Sequence, residues 1–241
     1  MITYYAFTDK GNREINEDSL RAVALEDKFL FLVADGLGGH GRGEEASALV
    51  VDSIFKGFKE DSSVDNYVEE QTIIAQNELM AEQERKKTRN EMKTTLVSLI
   101  IDGFNAKWLH VGDSRLYRFN KNKVVERTID HSVPQMLVMT GEIKEKQIRN
   151  HPDRNRLLKV MGVDWDGPQY TVSDINNVTK IQAFLLCTDG FWELITEKEM
   201  CKLLKKSKSV EEWVKSMAQV VKTNGEGKNM DNYTAIGVWC K

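Results

Sequence analysis

Four aspartates in this 241-residue chain share one setting, the end of an apolar run. Asp35 follows Phe29-Leu30-Phe31-Leu32-Val33-Ala34 and precedes Gly36-Leu37-Gly38-Gly39. Asp113 follows His110-Val111-Gly112. Asp189 follows Leu186-Cys187-Thr188 and precedes Gly190, while Asp231 precedes Asn232 and an apolar run that opens at Tyr233. A carboxylate at the end of a buried strand is costly to remove from water. A hard divalent cation such as Mg²⁺ or Mn²⁺ offsets that cost, because it takes oxygen ligands in octahedral geometry. Gly36 has no Cβ, so a backbone carbonyl or a ligand can approach it closely. A single Asp-Gly pair reads as a turn, and Asp102-Gly103 is read so here. The four acids together, joined by Arg13 and Glu17-Asp18, read instead as a cation site.

Such acids need strands to deliver them. The first clear strand is Phe29–Ala34, followed by Leu96–Ile101 and Lys107–Val111 with Asp102-Gly103 as the hairpin turn between them. Leu116–Phe119 and Val124–Arg127 make a second hairpin, and Ala183–Cys187 and Tyr233–Trp239 are late strands. Helical periodicity separates them. Ala46, Leu49, Val50, Ser53 and Ile54 share one face, a polar helix runs from about Val64 to about Lys86, and Val210, Trp213, Val214, Met217, Val220 and Val221 form an amphipathic stripe for core packing. Strand and helix do not alternate one for one. An α+β protein with antiparallel sheets covered by helices therefore fits better than a doubly wound parallel sheet. The least regular stretch, Ser132 to Asp174, reads as a lid or flap beside a site.

Composition sets the outer bounds. Hydrophobic content of 41% and charged content of 29% describe a soluble globular chain, and a net charge of −3 gives no support for nucleic-acid binding. Lys202, Lys205, Lys206 and Lys208 read as a solvated helix face. Three cysteines, Cys187, Cys201 and Cys240, without a C-x-x-C pair suggest neither a disulfide framework nor a zinc site, and a reducing compartment fits. The N-terminus lacks the pattern of a signal peptide, and no run is long and apolar enough to span a membrane.

The motifs, taken in order, resemble those of the metal-dependent protein phosphatases, the type 2C family, in their bacterial serine/threonine form. Arg13-Glu14-Ile15-Asn16-Glu17-Asp18 is similar to the family's opening Arg-x-x-x-Glu-Asp, and Val33 to His40 to its first metal motif. Val111-Gly112-Asp113-Ser114-Arg115, Asp130-His131-Ser132 with Gly141-Glu142-Ile143, Cys187 to Glu193, and Asp231-Asn232-Tyr233-Thr234 complete the set. The resemblance covers nearly the whole chain. It implies a four-layer αββα sandwich: two stacked antiparallel sheets with helices on the outer faces. It implies one catalytic domain over 1–241, with a flap-like segment within about 132–174.

By the same resemblance, Asp35 bridges two Mn²⁺ or Mg²⁺ ions. Asp189 and Asp231 complete one ion's shell, while Glu17 and the Gly36 carbonyl serve the other. Asp113 with Asp189 matches a third-metal position, and Asp18 and Asn232 stand behind the ligands. Arg13 clamps the phosphate with its planar fork of donors. The implied reaction is hydrolysis of phosphoserine and phosphothreonine by in-line attack of a metal-bridging hydroxide. The implied setting is the cytoplasm, with a monomer acting on phosphorylated proteins opposite a serine/threonine kinase, without nucleic acid or membrane. Two other readings are a non-catalytic phosphoprotein-binding module of the same fold and a phosphoesterase for small esters. Two positions depart from the family's pattern. Leu37 stands where eukaryotic members often carry a histidine proposed as general acid, with His40 nearby, and Lys93-Thr94-Thr95 lacks the glycine of a common Gly-Thr-Thr motif. Thr94 and Thr95 read as the start of a strand, and His131 as a residue that orients the flap or makes a structural hydrogen bond.

Overall fold

The computed structural model describes residues 1–37, 41–59, 61–89 and 91–240. Gly38, Gly39 and His40 of the first acidic motif lie outside the described residues. The chain forms two antiparallel sheets. The first is ordered β1 (Ile2–Asp9), β11 (Tyr233–Cys240), β10 (Ala183–Cys187), β6 (Arg115–Asn120), β7 (Lys123–Arg127). The second is ordered β2 (Asp18–Leu25), β3 (Lys28–Asp35), β4 (Leu96–Asp102), β5 (Asn105–Val111), β8 (Thr171–Val172), and β9 (Asn176–Asn177) also pairs with β5.

Helices α1 (Gly43–Gly57) and α2 (Tyr67–Lys86) cover the second sheet, and α4 (Asp189–Trp192), α5 (Glu197–Lys206) and α6 (Val210–Gly225) cover the first. A short α3 (Val133–Met139) lies in the irregular stretch. This is the αββα architecture that the motif resemblance implies.

Central strands here are buried on both faces, so they read as nearly continuous apolar runs. In β3, Leu30, Leu32 and Ala34 turn toward α1 and α2, whereas Phe31 and Val33 turn toward the other sheet. In β11, Ala235 and Trp239 face the helices, and Ile236 and Val238 face inward. The layer between the sheets is closed by Val97, Leu99, Phe184 and Leu186, all fully buried. Burial of this kind contributes about 25 cal/mol per Å² of apolar surface removed from water.

Both expected hairpins form. β4 and β5 pair with Asp102 opposite Asn105, and Gly103 takes a φ of +54° in the turn. β6 and β7 close over Lys121 and Asn122, whose φ values of +50° and +56° suit a two-residue hairpin turn. No clear strand is legible before Phe29, yet β1 and β2 are there. Both are edge strands with mixed, half-exposed side chains, so their apolar signal is weak.

Candidate active site

Each of the four aspartates stands at a strand end. Asp35 is the last residue of β3, Asp113 sits in the turn from β5 to β6, Asp189 opens α4 directly beyond β10, and Asp231 lies just ahead of β11. β3 and β5 run in the same direction within one sheet, and β10 ends beside the start of β11 in the other. The acids are therefore contributed from two sheets to one end of the sandwich. They line a cleft of about 410 Å³ together with Arg13, Glu17, Gly36, Leu37, Asn155 and Leu157.

Backbone contacts hold the acids in register. The Asp35 amide donates to Thr95 Oγ1 at 3.0 Å, and the Thr94 hydroxyl donates to the Asp35 carbonyl at 2.8 Å. Thr95 Oγ1 also meets Ser114 Oγ at 2.7 Å, which links Asp35 to the turn bearing Asp113. These two threonines lie just ahead of β4, Thr94 in an isolated bridge to Gly36, and their hydroxyls position the acid. Ser47 of α1 donates to the Glu17 carbonyl at 2.6 Å, and the Gly36 amide donates to that same carbonyl at 3.1 Å. Gly36 is confined here. A Cβ would lie 2.6 Å from the Glu17 carbonyl oxygen and 2.3 Å from that of Gly43, closer than any side chain tolerates.

Asn232 braces the N-terminal loop. Its Oδ1 accepts the Glu17 amide at 2.8 Å, and its Nδ2 donates to the carbonyls of Lys10 at 2.9 Å and Ile15 at 3.0 Å. Asp18 is buried and accepts a hydrogen bond from Thr188 Oγ1 at 2.9 Å, one residue before Asp189. The carbonyl of Asp113 accepts from Trp192 Nε1 at 3.0 Å. That indole ring in turn carries the Arg115 guanidinium 3.4 Å from its centre, and Arg115 forks onto Asp130 at 2.8 and 2.6 Å. His131 Nδ1 accepts the Gly112 amide at 3.2 Å, and its ring stacks on that of His110 at 4.5 Å. Both imidazoles are pushed below their ordinary range by burial, His131 to about 3.

The electrostatics are those of acids crowded together, with nearby arginines offsetting them only in part. Burial raises Asp35 well above the usual carboxylate range, and the charges of Asp189, Asp18 and Asp113 raise it further. Burial and Asp189 do the same to Asp113, and burial and Asp231 raise Asp189. Burial pushes Asp18 up to about 7. Arg13 is turned onto Asp231, with Nε to Oδ1 at 3.0 Å and Nη2 to Oδ2 at 2.9 Å.

Among the described residues, no three acidic, histidine or cysteine side chains are already set to hold an ion. The donor chemistry nevertheless fits a hard divalent cation, since the cleft is walled by carboxylate oxygens and each buried acid is strained by its neighbours. The expected ligands Glu17, Asp35, Gly36, Asp189 and Asp231, together with Asp113 and Arg13, all line this one cleft. Asp18 and Asn232 stand behind it. The supporting hydroxyls of Thr94, Thr95, Ser47 and Thr188 are not among the residues the sequence points to as a site. The available signal was a hydroxyl beside an acid motif or among the apolar residues of a helix face.

Comparison with known proteins bears on this arrangement. The family model described as protein phosphatase 2C matches residues 10–233. The serine/threonine phosphatase stp of Listeria welshimeri is 31% identical over 237 residues, spanning 95% of this chain and 92% of the relative. The serine/threonine protein phosphatase PstP of Mycobacterium tuberculosis is 27% identical over 98% of this chain, which matches 44% of that longer protein. The crystal structure of the serine/threonine phosphatase Stp1 from Staphylococcus aureus superposes with a TM-score of 0.90 at 28% identity, covering 100% of this chain and 96% of the other.

Proposed function

This chain belongs to the protein phosphatase 2C family and is a metal-dependent serine/threonine protein phosphatase, and we infer that the acidic cleft between its sheets is where the phosphoester is held and hydrolysed. The observation that carries this reading is the gathering of Glu17, Asp35, Asp113, Asp189 and Asp231 around one cleft with Arg13 beside them.

We assign two Mn²⁺ or Mg²⁺ ions to this cleft. Asp35, Glu17 and the Gly36 carbonyl would hold one, and Asp35, Asp189 and Asp231 would hold the other. Asp113 and Asp189 would hold a third. When bound, such cations lower the pKa of water so that a nucleophile exists near neutral pH, and they draw charge from the phosphate. The chain's own residues then have distinct tasks. Arg13 leaves Asp231 and forks onto the phosphate oxygens, which need the bidentate donors it already presents. Thr94 and Thr95 fix the backbone of Asp35, and Asn232 fixes that of Glu17. Leu37 contributes no proton to the leaving oxygen. The substrates are phosphorylated proteins modified by an opposing serine/threonine kinase. Among the described residues, no helix is long and apolar enough to cross a membrane.

The test is release of phosphate from a phosphothreonine peptide with Mn²⁺ and with a chelator. Turnover that needs Mn²⁺, and that exceeds turnover of a small phosphate ester, supports the assignment. Equal turnover of the peptide in chelator overturns it.

A further inference from the structure

A second hollow of about 300 Å³ adjoins the acidic cleft and shares Arg13, Asn155, Asp189 and Asp231 with it. Its remaining wall includes Arg154, Glu193 and Lys228. Two of the three basic groups in this wall are paired with acids. Arg13 is paired with Asp231 at 2.9 Å and Arg154 reaches Glu193 at 3.3 Å. Lys228 is the cation left over, and it has no acidic partner among the described residues.

Lys228 is also held in place, although its side chain is exposed. It lies in the turn between α6 and Asp231. Its amide donates to the Gly225 carbonyl at 3.0 Å, and its carbonyl accepts the Met230 amide at 3.0 Å. The Met230 carbonyl in turn accepts the Asn12 amide at 3.1 Å, which ties this turn to the loop bearing Arg13. A fixed backbone with an uncommitted ammonium group, beside the place where a phosphorylated side chain enters, is suited to reading one negative charge on the same substrate.

We propose that Lys228 is a specificity-determining residue that favours an acidic residue next to the phosphorylated serine or threonine, with that acidic side chain seated in the hollow. The proposal rests on the phosphatase reading above. An ammonium group is a compact point charge, so it selects for charge and not for a planar fork. The contact is open to water, so its effect is modest and weakened by salt.

The experiment compares phosphothreonine peptides carrying one glutamate, one or two residues to either side, with an all-alanine parent. The readout is the ratio of kcat/KM for each acidic peptide over the parent, which divides out any general loss of activity. The wild-type chain is expected to prefer glutamate at one position by about fivefold, mostly through KM. Lys228→Ala should remove that preference and Lys228→Glu should invert it. The wild-type preference should also shrink between about 50 mM and about 500 mM salt. A wild-type enzyme that turns over all peptides alike, or a preference that survives in Lys228→Ala, overturns the role of Lys228 and leaves the phosphatase intact. No Mn²⁺-dependent turnover of the parent peptide overturns the phosphatase reading, and this inference falls with it.

Discussion

Arg13 and Asp231 satisfy each other across 218 positions of sequence through two parallel hydrogen bonds of 3.0 and 2.9 Å. The proposed function assigns each of them a different partner, a phosphate for Arg13 and a cation for Asp231. The pair must therefore open for the site to work, and its two members can be separated by experiment. Arg13→Ala should raise KM for a phosphopeptide by roughly 10- to 100-fold, with a smaller change in kcat. Equilibrium dialysis should show tighter Mn²⁺ binding, since Asp231 has lost its competitor. If KM is unchanged and only Mn²⁺ affinity moves, Arg13 is a counter-ion and not the phosphate clamp.

Asp35 is pressed from several directions, by burial and by Asp189, Asp18 and Asp113. Asp35→Asn removes one of these charges at the cost of a cation ligand. Nearly all activity should disappear and Mn²⁺ binding should weaken. The melting temperature in chelator should rise instead of falling. Retained Mn²⁺-dependent turnover in this variant would falsify the assignment, and a lower melting temperature would show that crowding of the acids is not the dominant cost.

Asp18 provides a pH test with a defined sign. Its carboxyl, buried beside Thr188, titrates at about 7 in the folded chain. In the unfolded chain it titrates near pH 4. The folded state thus keeps a proton that the unfolded state has released. The stability this residue contributes is complete below the unfolded value and is lost as pH climbs toward the folded one. In chelator, urea unfolding should show Asp18→Asn gaining on wild type between about pH 5 and about pH 8, by roughly 2–4 kcal/mol. Parallel stability profiles for the two proteins across that range would rule out Asp18 as the titrating group.

Thr95 tests the support behind the ligands. Thr95→Val keeps the shape of the side chain but removes the acceptor of the Asp35 amide and the partner of Ser114. The side chain is fully buried, so the unmet amide should cost roughly 1–3 kcal/mol in a denaturant titration. Mn²⁺ affinity should fall with it. A variant as stable as wild type and with unchanged affinity would mean that Asp35 is positioned by its strand alone.

What the chain discloses before folding follows from how local each signal is. Asp35 and Asp189 are legible because several acids recur at the ends of apolar runs and stand together with Arg13 and Glu17-Asp18, whereas one such acid alone is turn chemistry. The β4–β5 hairpin is legible because Asp102-Gly103 is turn chemistry between two such runs. β1 and β2 are not, because an edge strand needs to hide only one side and its residues mix accordingly. The tasks of Thr94, Thr95 and Ser47 are not legible, because the carbonyls and amides their hydroxyls meet lie far away along the chain. The Arg13–Asp231 pair is a property of the folded arrangement alone. Nothing in either motif announces that the two face each other.

Asp35 belongs to one sheet, whereas Asp189 and Asp231 flank strands of the other, with Phe31, Val33, Val97 and Leu99 on one side of the layer between them and Phe184, Leu186, Ile236 and Val238 opposite. The gap across which a cation would be shared is thus gauged by hydrocarbon thickness. Trimming or enlarging one of these aliphatic groups would shift one jaw of the site relative to the other. Any preference among cations of different radius would then answer to residues that do not meet solvent.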